Sequence, residues 1–157
     1  MAWIKQHVVR DVLTLEPSAT CADAARLMTE RGIGSVGVQR GAKIVGFVTE
    51  RDLVASIAAG ADPGRTSLAQ VMRTDAPSVT PEATDVECAQ LMRLRHTRHL
   101  AVKEGRDIVS VLSLLDLVDL VVEEKQANID QLEAYIRGGR ARELTEPVST
   151  VFNHGPA

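Results

Sequence analysis

The chain has 157 residues, 45% of them hydrophobic and 25% charged, which is the composition of a packed globule and not of a disordered chain. Eighteen Lys and Arg stand against 21 acids, a formal charge of −3, so no basic excess draws the molecule onto a nucleic-acid backbone. The aromatic residues are Trp3, Phe47, Tyr135 and Phe152, too few rings for base-stacking platforms or aromatic cages, and the core is expected to be aliphatic.

Shifting the sequence by 64 residues aligns 15–54 with 79–118 without a gap and gives 14 identities in 40 positions, among them Pro17/Pro81, Thr20/Thr84, Met28/Met92, Gly41/Gly105 and Asp52/Asp116. The chain is an internal duplication, and each copy reads alike. A short extended piece (Leu13–Leu15; Ser78–Thr80) leads to a Pro-containing turn. Thr20–Asp23 and Thr84–Glu87 fit the S/T-x-x-D/E capping box that opens a helix, and Gly32 fits its C-cap. Two β-branched runs, Val36–Val38 and Ile44–Val48, flank Arg40-Gly41-Ala42-Lys43, a hairpin signal. A second capping box, Thr49–Asp52, opens a helix expected to stop near Gly60.

The unit is therefore β-α-β-β-α, and the fold class is α/β of the α+β kind. The expected division is repeat 1 at 1–62, repeat 2 at 63–122, a C-terminal helix at 123–137 and a flexible tail at 138–157. Residues 60–67, GADPGRTS, form a turn-rich linker. One copy of about 60 residues buries too little surface to stand alone, so the two should pack about a pseudo-twofold axis. From Leu117 to Ile136 there is no Gly or Pro, and apolar residues recur at helical spacing until Gly138-Gly139. That helix exceeds what one repeat needs, and part of its stripe is expected to meet a partner chain.

Gly32-Ile33-Gly34-Ser35-Val36-Gly37 fits G-x-G-x-x-G letter for letter. A dinucleotide fingerprint must follow a strand and open a helix, whereas here a helix precedes and a strand follows, so the match is set aside. More informative are Gly46-Phe47-Val48-Thr49-Glu50-Arg51-Asp52 and Ser110-Val111-Leu112-Ser113-Leu114-Leu115-Asp116, each running from a strand into a helix. Thr49/Asp52 and Ser113/Asp116 can serve as capping boxes with no ligand at all. The same hydroxyl and backbone N–H groups suit a phosphate, and a carboxylate one turn on suits a ribose diol. Both roles are compatible in one residue.

A tandem β-α-β-β-α unit closed by G-h-h-T-x-x-D in one copy and S-h-h-S-x-x-D in the other resembles a cystathionine-β-synthase (CBS) domain pair, over roughly residues 8–122. Arg98-His99-Leu100-Ala101-Val102 resembles the R-H-L-P-V strand start of bacterial members, and Leu132–Ile136 the tail helix of small stand-alone ones. The resemblance implies two clefts between the copies that bind adenosine-type nucleotides. Thr49 and Asp52 would serve one cleft and Ser113 and Asp116 the other, the hydroxyl on phosphate and the aspartate on ribose. The strand starts Ile33, Gly34, Ser35 and Thr97, Arg98, His99 would flank adenine or phosphate, and Thr14 joins the candidate contacts. Arg51, Arg98 and His99 are the candidate phosphate cations, with ordinary surface arginines and a half-buried histidine as the plain alternative.

Three departures from the pattern are visible. Ala101 replaces the usual proline, with Gly37 in the same place in copy one, so those strand starts should be less rigid. Ser110 replaces a glycine and is expected to crowd its cleft, and Glu50-Arg51 becomes Leu114-Leu115, so the clefts should differ. The function implied is a non-catalytic sensor of AMP, ADP, ATP, NAD or S-adenosylmethionine, homodimeric and cytoplasmic, with a downstream protein partner and no obligatory cofactor. The alternative is a dimerisation module with empty clefts. No nucleic-acid polymer, membrane or metal is expected: no apolar run reaches the length of a span, and His7, His96, His99 and His154 lack metal spacing. Cys21 and Cys88 read as small core residues or as thiols of lowered pKa in the first turns of helices, and Trp3 as a packing anchor.

Overall fold

The computed structural model describes residues 2–6 and 12–143. Within 1–121, which form one compact unit, each repeat follows the expected path. Repeat 1 contains β1 (Thr14–Leu15), α1 (Cys21–Arg31), β2 (Ser35–Arg40), β3 (Lys43–Thr49) and α2 (Glu50–Ala58). A single-turn helix, α3 (Leu68–Val71), follows the linker. Repeat 2 contains β4 (Ser78–Val79), α4 (Asp85–Leu94), β5 (His99–Glu104), β6 (Asp107–Ser113) and the start of α5 (Leu114–Glu143).

Each repeat builds a three-stranded sheet, with the short first strand parallel to the second and the second antiparallel to the third. The registers match at the 64-residue shift, down to a bulge after Val38 and after Val102. The predicted caps are present at Thr20, Thr49 and Thr84, each with its reciprocal carboxylate bond. Such a cap contributes on the order of 1 kcal/mol by satisfying helix N–H groups that have no other partner. Gly32 ends α1 at φ 63, in the left-handed region where glycine carries no Cβ penalty.

The proline-free strand starts use the freedom they gain. Gly37 donates its N–H to the Leu13 carbonyl at 2.8 Å, and Ala101 donates to that of Pro77 at 3.0 Å. A proline at either place would lose that bond to the neighbouring strand. The absence of proline therefore ties these starts to the sheet instead of loosening them.

The repeats exchange their leading segments. Ile4, in a 3₁₀ turn at Ile4–Gln6, is fully buried in the core of repeat 2 with Met92, Leu100 and Leu112. Its pseudo-equivalent Leu68 is fully buried in the core of repeat 1 with Met28, Val36 and Val48. The Ile4 N–H donates to the Ala83 carbonyl and the Leu68 N–H to that of Ala19; Asp85 donates to Ala2 and Cys21 to Thr66. Every one of these bonds has its image 64 residues away, which is the pseudo-twofold relation expected from the duplication. Trp3 is 55% exposed, so the anchor of the N-terminal segment is Ile4 and not the indole. Both cysteines are buried and free. Burial, with Glu87 and Asp85 nearby, pushes the Cys88 thiol up to about 11, opposite to the activated-thiol expectation for that residue.

α5 runs past the glycine pair to Glu143, where the sequence predicts a stop at Gly138-Gly139 after residue 137. Glycine inside a helix costs only about 1 kcal/mol relative to alanine and has no ring to clash, so a pair weakens a helix without ending it. Of the expected tail, 144–157 lies outside the described residues, as do His7 and His154. In the second compact unit, 122–157, Ile129, Leu132, Tyr135 and Ile136 are exposed along the helix. No helix among the described residues is long and apolar enough to cross a membrane.

Candidate functional site

Two clefts lie between the repeats, related by the same 64-residue shift. Each joins the strand start of one repeat to the strand-to-helix junction of the other. The first is an open cleft of about 580 Å³, walled by Val12, Leu13, Ile33, Gly34 and Ser35 from repeat 1 and by Val111 and Ser113–Asp116 from repeat 2. Glu50, Arg98 and His99 complete it. Its apolar walls are aliphatic, as the shortage of aromatic residues requires. The second is lined by Phe47, Thr49, Glu50, Arg51, Arg73, Ala76, Pro77 and the run His96–His99, and holds only about 30 Å³.

Side-chain bulk accounts for the difference. Around the open cleft stand Gly32, Gly34, Ser35, Val111 and Leu115; the matched positions of the closed one are His96, Arg98, His99, Phe47 and Arg51. Gly34 matters most directly. A Cβ there would stand 3.4 Å from both Glu50 Oε2 and the His99 ring, so any larger side chain would reach into the space. The glycine run that imitates a dinucleotide fingerprint thus ends a helix at Gly32 and leaves room at Gly34. Ser110, expected to crowd its cleft, is buried and does not line it; the cleft served by Ser113 and Asp116 is the open one.

The two aspartates differ in what their oxygens do. Asp116 Oδ2 accepts from the Ser113 N–H at 2.7 Å and the Ser113 hydroxyl at 2.6 Å. Among the described residues its Oδ1 has no side-chain donor, and Asp116 faces the open cleft. Asp52 Oδ2 is held in the same way by Thr49, at 2.9 and 2.8 Å. Its Oδ1, however, accepts from Arg73 Nε at 2.7 Å, and the residue is only 8% exposed. Arg73 is fixed in turn by a two-way backbone bridge to Phe47. That bridge passes so close to β3 that a Cβ on Gly46 would stand 2.7 Å from the Arg73 carbonyl oxygen.

The helix starts are less free for phosphate than the sequence suggests. Glu50 donates its N–H to the Gly34 carbonyl and Leu114 to that of Arg98, continuing the sheet ladders. Asp52 and Asp116 donate theirs to the capping hydroxyls. Of the candidate cations, Arg98 faces the open cleft and lies 3.9 Å from Glu50. Arg51 instead donates to the His96 carbonyl at 2.8 Å, across the repeat interface. His99 lines both clefts. Burial, reinforced by the Arg98 charge, holds it below the ordinary imidazole value against the pull of Glu50, Asp116 and Asp52.

Ile33, Gly34 and Ser35 meet Ser113 and Asp116, whereas Thr97 faces Thr49 in the closed cleft. Asp52 lies behind that cleft and does not line it, and Thr97 donates its hydroxyl to the His99 carbonyl. Thr14 is not part of either site: its hydroxyl donates to Gln39 Oε1 and its methyl packs beside Gly37. Sequence reasoning missed Arg73 and the walls Val12 and Leu13. The 64-residue shift pairs Arg73 with Val9, so the mismatch was legible as an unpaired charge. Among the described residues no cluster of His, Cys, Asp and Glu is placed to hold a metal.

The sequence model described as "CBS domain" matches residues 4–59 and 68–123. The chain is 28% identical over 117 residues to the CBS domain-containing protein YhcV of Bacillus subtilis, covering 74% of this chain and 84% of that one. It is 30% identical over 126 residues to the mitochondrial CBS domain-containing protein CBSX3 of Arabidopsis thaliana, of whose length it spans 61%. The structure of a protein with CBS domains from Burkholderia ambifaria shares 32% identity and a TM-score of 0.66, over 73% of this chain and 85% of that one. The CBS domain pair of MJ0100, solved in complex with 5′-methylthioadenosine and S-adenosyl-L-methionine, shares the fold at 15% identity and a TM-score of 0.68, over 79% and 98%.

Proposed function

The chain belongs to the CBS domain family as a tandem pair of its repeats, and from that premise we propose that it is a non-catalytic regulatory module that binds an adenosine-type ligand. AMP, ADP, ATP, NAD and S-adenosylmethionine are the candidates. One observation carries the reading. In the open cleft a serine hydroxyl and a carboxylate oxygen with no side-chain donor among the described residues stand at a helix start beneath aliphatic walls. Those are the groups that a ribose diol and a purine face require. The fold admits such ligands in MJ0100, though at an identity that speaks for fold alone.

A ligand bridging Ile33–Ser35 to Ser113–Asp116 would fasten repeat 1 to repeat 2, and the response is limited to its differential affinity for the two arrangements. A protein partner would read that change in a cytoplasmic homodimer, for which the exposed apolar residues of α5 are the natural surface. The alternative, an interaction module with empty clefts, draws support only from the closed cleft.

Thermal melts with each candidate separate the two. Ligand at a hundred times its Kd stabilises by about 2.7 kcal/mol, a rise of roughly 5–10 °C for a chain of this size. Unmoved melting in all five would refute the adenosine reading.

A further inference from the structure

Resting on that reading, we propose that the chain holds one adenosine ligand, at Ser113 and Asp116, because Arg73 occupies the carboxylate that would serve the second site. An aspartate that reads a ribose diol needs an oxygen left over from its capping duty. Asp52 has none. Thr49 takes Oδ2 through both N–H and hydroxyl, and Arg73 Nε takes Oδ1 at 2.7 Å. The guanidinium donates where the ribose hydroxyls would, so the second site is filled by its own chain.

The latch is built in from two sides. Its backbone is pinned by the reciprocal hydrogen bonds between Phe47 and Arg73, and Gly46 is bare of a side chain so that the Arg73 segment can lie against β3. Arg51 reaches across to the His96 carbonyl, and with His96, Thr97 and Arg98 it also borders a separate open pocket of about 390 Å³ beside Ala89, Met92 and Arg93. Volume agrees: about 30 Å³ is left, room for roughly one water and far below any nucleoside, against about 580 Å³ opposite. In the sequence, the 64-residue shift matches Arg73 with Val9, whose side chain carries no hydrogen-bond donor.

The test is calorimetric titration of the full chain with AMP, ATP, NAD and S-adenosylmethionine, the count being read from whichever bind. One site per chain is expected, unchanged in affinity by Asp52→Asn and weakened at least tenfold by Asp116→Asn. Arg73→Ala combined with Arg51→Ala, which removes both the latch and the guanidinium that spans the cleft, should raise the count from one to two, with the surviving Asp116 site reporting in the same titration that the variant is folded. Two sites in the unaltered chain, a site lost with Asp52→Asn, or a count unmoved by the folded double variant each overturn the latch and leave the adenosine reading standing. Should the double variant not fold, the Asp52→Asn and Asp116→Asn pair decides alone. Binding of none of the four, nor of ADP, overturns both proposals together.

Discussion

Matched residue for residue at a shift of 64, the two repeats share their caps, bulges and hairpins, yet they make opposite choices of bulk around the clefts. Repeat 1 offers Gly34 and Ser35 at its strand start where repeat 2 offers Arg98 and His99. Repeat 2 offers Leu114 and Leu115 at its helix start where repeat 1 offers Glu50 and Arg51. Since each cleft takes its strand start from one repeat and its helix start from the other, all the small or aliphatic choices fall on one side. The large polar ones, Glu50, Arg51, Arg98 and His99, all border the closed cleft, and of them only Arg51 is absent from the open one. The frame is indifferent to this, because folding depends on the caps, the hairpins and the buried aliphatic positions. Duplication thus supplies two equal frames, and side chains outside the core are free to make one a cavity and fill the other.

The comparison breaks first at the exchanged anchors. Ile4 and Leu68 are both fully buried, each in the other repeat's core. Truncating a buried Ile or Leu to alanine typically costs about 2–5 kcal/mol, so Ile4→Ala and Leu68→Ala should each lower the unfolding free energy from urea titration by that measure. Because each anchor crosses between repeats, both should shift a single cooperative transition followed by circular dichroism. A second transition in either variant, or a cost under about 1 kcal/mol, would show that the repeats stand independently.

A smaller effect is expected where the repeats differ in backbone approach. Gly46→Ala would bring a Cβ to 2.7 Å from the Arg73 carbonyl oxygen, a backbone atom that cannot swing aside. Overpacking of this kind costs about 1–3 kcal/mol. The matched residue of repeat 2, Ser110, already carries a Cβ and is buried without penalty to its strand pairing. The stability loss should therefore come with a loosened Asp52–Arg73 contact, visible as a chemical-shift change at the Arg73 Nε–H. An unchanged Arg73 signal in a folded Gly46→Ala protein would mean that the close approach does not hold the latch.

Most of the fold was legible because it is written in local chemistry. Thr20–Asp23, Thr49–Asp52 and Thr84–Glu87 announce helices by spacing alone, Arg40–Lys43 announces a hairpin, and the duplication lets each copy check the other. What escaped is what depends on distance in the chain. Nothing near Leu68 says that it belongs to the core of repeat 1, or that Ile4 replaces Trp3 as the anchor. The paired aspartates were legible as chemistry; of their inequality only the Arg73/Val9 mismatch was legible, and not the contact that Arg73 makes. The inequality turns on Arg73, which stands 21 residues from Asp52 in a segment without a motif. The helix end at Glu143 was misread for another reason: each glycine of the pair costs a helix only about 1 kcal/mol, and no proline stands there to break it.

The finest test of the comparison is at the end of the first helix in each repeat. Gly32 and His96 occupy matched positions and both take positive φ, 63° and 50°. For glycine that costs nothing, whereas an L-residue in the left-handed region carries about 1–2 kcal/mol. Glycine in exchange loses more freedom on folding, by about 0.5–1 kcal/mol. The His96 side chain is exposed, and its carbonyl, which receives Arg51, would survive the change. His96→Gly should therefore raise stability by about 0.5 kcal/mol, roughly 1–2 °C in melting temperature for a chain of this length. Gly32→Ala should move it in the opposite direction by a somewhat larger step, because it adds strain where there was none. If His96→Gly lowers the melting point instead, the imidazole contributes packing at the closed cleft that outweighs its backbone strain, and the bulk on that side is structural.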